Sequence, residues 1–440
     1  MKPHFWNRLL GGLVVAAAMS VTSVPARAAS DGTDEVLEWN QIFIDTLIAT
    51  GTANSSSPRL GAIVQTAVFD AYNGIERRYT PICVPTAAPK GASRRAAVIA
   101  AAHTALRVLF PSRQAELDAS YDASLAALSD DEDEDGGQAR ERGIAWGAQV
   151  ANAVLAWRAN DGFGLTYPAF RGGTAVGQWR PTPPAFGAMS AQALAFTLPF
   201  VLPKSAFFRP APPRGLLTAA YTEDFNAVKA LGRATGSTRT DDQTWLAPFW
   251  EGNASVHWNQ AANQIARANN LSMSKTVRLL ALLNISMADT IFSTWNAKRF
   301  YGASDPELMW PPVTWRPVTS IPLADLDGNP DTVADFDWTP LITTPSHPEY
   351  PSGHPSLNGA AATVLLSCFE DVQTFTLTTK TLTEVLSRTY TSISQARLDG
   401  NNARVWGGMH YPSTVAVGNQ LGENVANYIM KYAMQPLQGQ

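Results

Sequence analysis

Ser352–Phe369, SGHPSLNGAAATVLLSCF, is the stretch on which the reading of the fold turns. Leu357, Ala361, Val364, Leu365 and Cys368 recur at helical spacing and fall on one face, which predicts a helix burying small and branched side chains. Val417, Leu421, Val425 and Ile429 repeat the pattern near the C-terminus. The same periodicity predicts helices over 35–49, 59–75, 94–110, 138–160, 274–298, 381–396 and 413–432. Strand-like alternation is scarce and no solenoid-length repeat is present. The expected fold class is therefore all-α, a large helical bundle. Its domain reading is an N-terminal helical region, 29–235, and a C-terminal helical domain, 236–435, as two packed halves. The Pro- and aromatic-rich stretch 172–214 reads as an ordered segment wrapped over a pocket or between helical layers.

Composition narrows the function. The 440 residues are 45% hydrophobic and 10% aromatic, enough to bury a large core, so disorder is excluded. With 33 basic against 37 acidic side chains, the chain offers no polycationic surface to nucleic acid. Cys83 and Cys368 are too few for a disulfide scaffold, a zinc ribbon or an iron–sulfur cluster; a single bridge and two free thiols both stay open. Residues 1–28 read as a signal peptide: Lys2 and Arg8 ahead of the apolar Leu9–Ala18, then Ala26-Arg27-Ala28 as a cleavage site. The expected location is secreted or periplasmic after cleavage near Ala28. Polar residues interrupt every later apolar run, so no membrane span and no membrane partner is expected. The acidic run Asp130–Asp135 reads as a solvated loop.

Histidines come next. His103 sits inside the predicted helix over 94–110 and reads as a packed, hydrogen-bonded core residue, and His257 reads the same way. His347 and His354 flank Pro351-Ser352-Gly353 at a predicted helix start, and His410 follows Arg404 across Gly407-Gly408. Unpaired N–H groups and the positive end of a helix favour an anion, and glycine lets it approach the backbone; a plain N-cap role for Ser352 stays open. Lys298 shares a helix face with Met287, Ile291 and Trp295, so its ammonium projects from a buried face, where it needs a negative partner or loses its proton; a lysine snorkelling from the helix end stays open. Arg316 and Arg404 add forked donors suited to a tetrahedral oxyanion.

Lys298, Trp315-Arg316-Pro317, Pro351-Ser352-Gly353-His354 and Arg404-x5-His410, in that order, resemble the three-part signature of the vanadium-dependent haloperoxidases and the type 2 phosphatidic acid phosphatases. Asp70-Ala71-Tyr72-Asn73, Trp179-Arg180-Pro181 and Arg239-Thr240 resemble the exported bacterial branch. Arg299–Pro312 departs from the pattern and reads as an insertion between Lys298 and Arg316. Arg180 has a Trp-Arg-Pro context but no lysine helix before it, so it reads as a decoy.

The resemblance implies an all-α bundle in which Lys298, Arg316 and Arg404 neutralise vanadate or phosphate oxygens, and Ser352 and Gly353 donate hydrogen bonds. His410 would bond the central atom, vanadium in the peroxidases, and His354 would be the acid–base partner. It implies vanadate as cofactor, with hydrogen peroxide and halide as substrates and hypohalous acid as product. His347, seven residues before His354, is similar to the bromoperoxidase version and points to bromide. Two alternatives remain: a soluble exported acid phosphatase acting on a phosphomonoester through a phosphohistidine at His410, and a non-catalytic oxyanion-binding protein. The resemblance leaves a homodimer open.

Overall fold

Ser93, Thr218, Thr240, Asn253 and Ser392 each turn a side-chain oxygen onto a backbone N–H of the following turn. Five helices therefore begin where a short polar residue satisfies an otherwise orphaned donor. The computed structural model describes residues 35–128, 137–303, 313–381 and 384–437. The predicted leader, the acidic run 130–135 and most of the insertion before Arg316 lie outside the described residues.

The helices run α1 (Glu35–Ala49), α2 (Ser57–Glu76), α3 (Arg94–Leu109), α4 (Gln114–Ala126) and α5 (Gln138–Arg158), then α6 (Ala219–Leu231), α7 (Asp241–Phe249), α8 (Ala254–Ala268) and α9 (Met273–Gly302). After α10 (Pro317–Ser320) and α11 (Gly353–Cys368), strands β1 (Val372–Lys380) and β2 (Val385–Ser392) lead to α12 (Ile393–Trp406) and α13 (Pro412–Tyr432). The all-α reading holds, with one two-stranded sheet among the described residues. The main core takes side chains from Val36 to Met434, so residues on both sides of position 235 share it.

The central element is α9, packed against α2, α11 and α13. Contrary to the sequence expectation, this helix is long and apolar enough to cross a membrane; 94% of that apolar window is buried inside the protein, which makes it a core helix. Asp289 on α9 accepts the N–H groups of Phe200, Val201 and Leu202 at 2.6–2.9 Å. Trp295 donates to Ser190 O at 3.1 Å. These bonds lay the Pro- and aromatic-rich segment along α9.

Close approach of α11 and α13 sets the position of the site. A Cβ at Gly422 would lie 2.0 Å from Ser356 O, and one at Gly359 2.2 Å from Asn419 O. Only glycine permits this spacing, because the obstructing atoms are backbone and cannot rotate away. Gly422→Ala is expected to destabilise the fold by about 3 kcal/mol through overpacking, read from the urea midpoint; an unchanged midpoint would contradict this packing.

Two sequence expectations are corrected. The helix predicted over 381–396 is instead β2, and the helix begins only at Ile393. Phe375 and Leu377 alternate with threonines along β1, Phe375 pairs with Tyr390, and Thr376 bonds Thr389 at 2.8 Å. Those cross-strand pairs outweigh a weak helical period. Cys368 is exposed rather than part of the buried stripe, and neither it nor Cys83 forms a disulfide.

Candidate active site

Four segments converge on one buried point. The last turns of α9 bring Lys298, fully buried, whose ammonium donates to Pro348 O at 2.7 Å and Glu349 O at 2.9 Å. The residue before α10 is Arg316, also fully buried; it donates to His347 O at 2.9 Å, Met409 O at 2.8 Å, His347 Nδ1 at 2.8 Å and His410 Nε2 at 2.9 Å. The departure between Lys298 and Arg316 thus leaves both side chains at the same site. The start of α11 contributes Ser352, Gly353 and His354, and the end of α12 contributes Arg404 with His410 beyond it. A cavity of about 250 Å³ is walled by Trp295, His347, Gly353, His354, Arg404 and His410, with Asn54, Ser190 and Glu251 at its edge.

Guanidinium chemistry fixes the tautomer of His410. Arg316 can only donate, so His410 Nε2 carries a lone pair and the ring proton sits on Nδ1. That N–H donates to Glu349 Oε1 at 2.7 Å. The same oxygen accepts from Tyr411 N at 3.2 Å and Thr414 Oγ1 at 2.6 Å. His410 is thereby held as a neutral ring with its nucleophilic nitrogen turned toward the cations. By the same logic His347 Nδ1 accepts from Arg316, which places its proton on Nε2. The ring of His347 packs against Trp295 with centroids 4.9 Å apart.

Several buried donors find no acceptor among the described residues. Arg404 spends Nη2 on the Met409 sulfur at 3.1 Å, while its Nε and Nη1 are unmatched. Ser352 occupies the N-cap position of α11, yet its hydroxyl caps nothing and has no partner. The plain N-cap role left open for Ser352 is thus not seen, and its hydroxyl is free to donate. A Cβ on Gly353 would press on the Trp295 ring at 3.3 Å. Buried donors are costly unless an acceptor meets them, so the residues fit a tetrahedral oxyanion.

Electrostatics agree. Burial, then repulsion from Arg316, pushes the Lys298 ammonium well below its ordinary value. Burial takes Arg316 down to about 9 and Arg404 to about 10. It raises Glu349 to about 7 against the pull of Arg316 and Lys298. Three cations face two carboxylates, Glu349 at the centre and Glu251 beside Arg404, and a bound oxyanion would offset the positive charge that remains.

His354 lies at the N-terminus of α11, half-buried. Asn54 donates its amide to His354 Nε2 at 3.1 Å, while Gly252 O stands 3.3 Å from the same nitrogen. The amide serves the deprotonated nitrogen and the carbonyl the protonated one, so both states of the ring are accommodated. Burial first, and Arg404 next, hold its pKa well below 6.5.

Burial also depresses His347 and His410, and takes His257 to about 3. In the unfolded chain these rings take protons near pH 6.5, whereas in the folded chain they do not. Folding stability is therefore fully present above pH 6.5 and is lost as pH falls from there toward 3. Glu349, raised to about 7, and Asp289, raised to about 6, act in the opposite sense, so the histidine part is read as a difference: the fall in urea midpoint between pH 7 and pH 4.5 is expected to be smaller in His257→Gln than in the wild type, and an equal change would contradict a buried, neutral His257.

Other sequence readings can be placed. His103 bonds Asp118 at 2.7 Å and stacks on Tyr121, as a packed residue should. Arg180 donates to the carbonyls of Thr174 and Ala175, away from the site. Asp70 collects the N–H groups of Ile82, Cys83 and Val84, and Arg239 binds backbone carbonyls, so both organise loops. Sequence reasoning missed Glu349 and Asn54. A carboxylate lying between His347 and the Ser352 turn was the available signal for Glu349, since three buried cations require a counter-charge.

Residues 278–439 match the family model described as the VCPO second helical-bundle domain. Among solved structures, the chain is similar to a bacterial vanadium-dependent iodoperoxidase, at TM-score 0.75 and 23% identity over 94% of this chain and 99% of that one. It is also similar to a bacterial vanadium-dependent chloroperoxidase in apo and holo forms. Both superpose at TM-score 0.64 and 17% identity over 86% of this chain, covering 92% of the apo and 91% of the holo chain. No curated protein matches by sequence. The chain has the helical fold of the vanadium haloperoxidases, which bears out the resemblance carried by its motifs.

Proposed function

We propose that this protein is a vanadate-dependent haloperoxidase that oxidises halide, bromide among them, with hydrogen peroxide to hypohalous acid. The observation that carries the reading is the set of unmatched donors, Arg404 Nε and Nη1 on a residue that walls the same cavity as His410, and the Ser352 hydroxyl next to Gly353 in that wall, with the His410 Nε2 lone pair turned to Arg316. Lys298, Arg316, Arg404, Ser352 and the Gly353 N–H would hold the vanadate oxygens, and His410 Nε2 would bind the metal. When bound, vanadate supplies a Lewis-acidic centre that makes peroxide oxygen electrophilic toward halide.

The chain's own residues do the remaining work. Glu349 keeps the His410 proton on Nδ1, so Nε2 stays available as a ligand. Arg316 and Arg404, locked by backbone and Met409 contacts, hold positive charge where negative charge gathers. His354 takes up the proton of the incoming peroxide, with Asn54 and Gly252 O accommodating either protonation state. His347, a neutral donor on the cavity wall against Trp295, supports bromide as a substrate.

The test is purified protein with orthovanadate, bromide and peroxide, scored by bromination of a phenolic dye and repeated with chloride and iodide. Activity that needs vanadate and is suppressed by phosphate is the expected result. Hydrolysis of p-nitrophenyl phosphate that vanadate blocks, with no halide oxidation, would replace this reading with a phosphatase. Tight oxyanion binding with neither turnover would leave a binding protein. Export after cleavage near Ala28 is a separate proposal; N-terminal sequencing of the secreted chain should begin close to Ala29.

A further inference from the structure

Of the three cations at the site, Lys298 and Arg316 are held by backbone carbonyls, and Arg404 is held differently. Its guanidinium has a single hydrogen-bond partner among the described residues, the Met409 sulfur, 3.1 Å from Nη2. Arg404 is 2% exposed and Met409 0%, so this contact rather than solvent sets where the guanidinium lies. The turn that ends α12 builds the contact. Met409 N donates to Arg404 O at 3.0 Å, and the side chain folds back across the same turn. Gly407 leaves it room, since a Cβ there would lie 2.7 Å from Met409 Cε. Gly408 takes φ +77° with Gly232 O 2.4 Å from where a Cβ would stand, a place open only to glycine.

Met409 meets the second guanidinium as well, because its carbonyl accepts Arg316 Nη1 at 2.8 Å, and the next residue along the chain is His410. The type of acceptor matters at the Arg404 end. A thioether is neutral and weak, so it steadies one corner of the guanidinium and leaves Nε and Nη1 uncommitted. A carboxylate in its place would take two N–H groups in a forked pair and cancel the charge. A hydrocarbon would hold nothing. The guanidinium could then turn toward Glu251, the acidic side chain at the edge of the same cavity.

We propose that Met409 is a positioning residue for oxyanion binding: its sulfur holds Arg404 Nη2, which keeps the guanidinium in the cavity wall without neutralising it. The role rests on the oxyanion cage of the proposed function and not on the halide chemistry. A guanidinium already held in place needs no ordering when the anion arrives, and that saving appears as affinity.

Calorimetric titration of the vanadate-free full chain with inorganic phosphate reads the cage without turnover. Met409→Leu keeps most of the bulk and removes the acceptor, and its phosphate affinity should fall by about tenfold, the scale of one hydrogen bond to a charged group. Met409→Gln packs less well but restores a neutral acceptor, and should bind phosphate within about threefold of the wild type. A packing role alone predicts the reverse order, because leucine is the better core substitute for methionine, and the urea midpoints should show that reverse order. Equal phosphate affinity in Met409→Leu and wild type would overturn the proposal, as would a folded Met409→Gln that binds no better than Met409→Leu. Should Met409→Gln not fold, Met409→Leu alone decides. A wild type that binds no phosphate at millimolar concentration would overturn the cage itself, and this role with it.

Discussion

His410→Ala is expected to cut vanadate-dependent bromide oxidation by a factor on the order of 10³ or more, the scale set by removing a group that acts directly at the reacting centre. The substitution removes the Nε2 lone pair that Arg316 and Glu349 jointly hold in place. It also leaves Arg316 Nη1 with one acceptor fewer and Glu349 without its imidazole donor, a stability cost of about 1–3 kcal/mol. Turnover and vanadate affinity should therefore fall together, while the helical circular dichroism of the fold persists. A variant that keeps more than a tenth of wild-type turnover at saturating vanadate would show that His410 does not hold the metal.

The second large effect is expected at Glu349. In Glu349→Gln the cations Lys298 and Arg316 lose their buried counter-charge, and removing one partner of a buried ion set costs about 3–5 kcal/mol. Turnover should fall by about 10- to 100-fold, because an amide no longer sets the tautomer and basicity of the His410 ligand. An oxyanion brings its own negative charge to the same place. Phosphate or vanadate should accordingly raise the Tm of Glu349→Gln by more than it raises that of the wild type, and equal shifts would mean that Glu349 does not balance the cage.

Much of this arrangement was legible because residue chemistry and helical period agree in α9, α11 and α13. Lys298 on an apolar face, Ser352-Gly353 at a helix start and Arg404 ahead of a Gly-Gly turn each announce an anion locally, and the fold brings them together. Buried polar groups add a layer that apolar period alone does not show. On α8, Asn259 and Asn263 are buried and bond Asn284 and Asn40, and on α12 Asn401 bonds Asn358 and Asn419. These partners lie on other helices, so the burial of such side chains cannot be read from their own segment. The β-hairpin hid for a different reason, since its threonines and aromatics gain their preference from cross-strand partners that no single segment displays. Asn54 could not be read at all: its role depends on a contact made 300 residues away, with His354.

The central claim is that one buried cage receives a tetrahedral oxyanion against His410. A crystal structure of the protein soaked in orthovanadate tests it most directly. Vanadium bonded to His410 Nε2, with its oxygens on Lys298, Arg316, Arg404, Ser352 and the Gly353 amide, is the predicted result. Vanadate bound elsewhere with Arg404 and Ser352 still unmatched, or no vanadate at concentrations that support turnover, would contradict it.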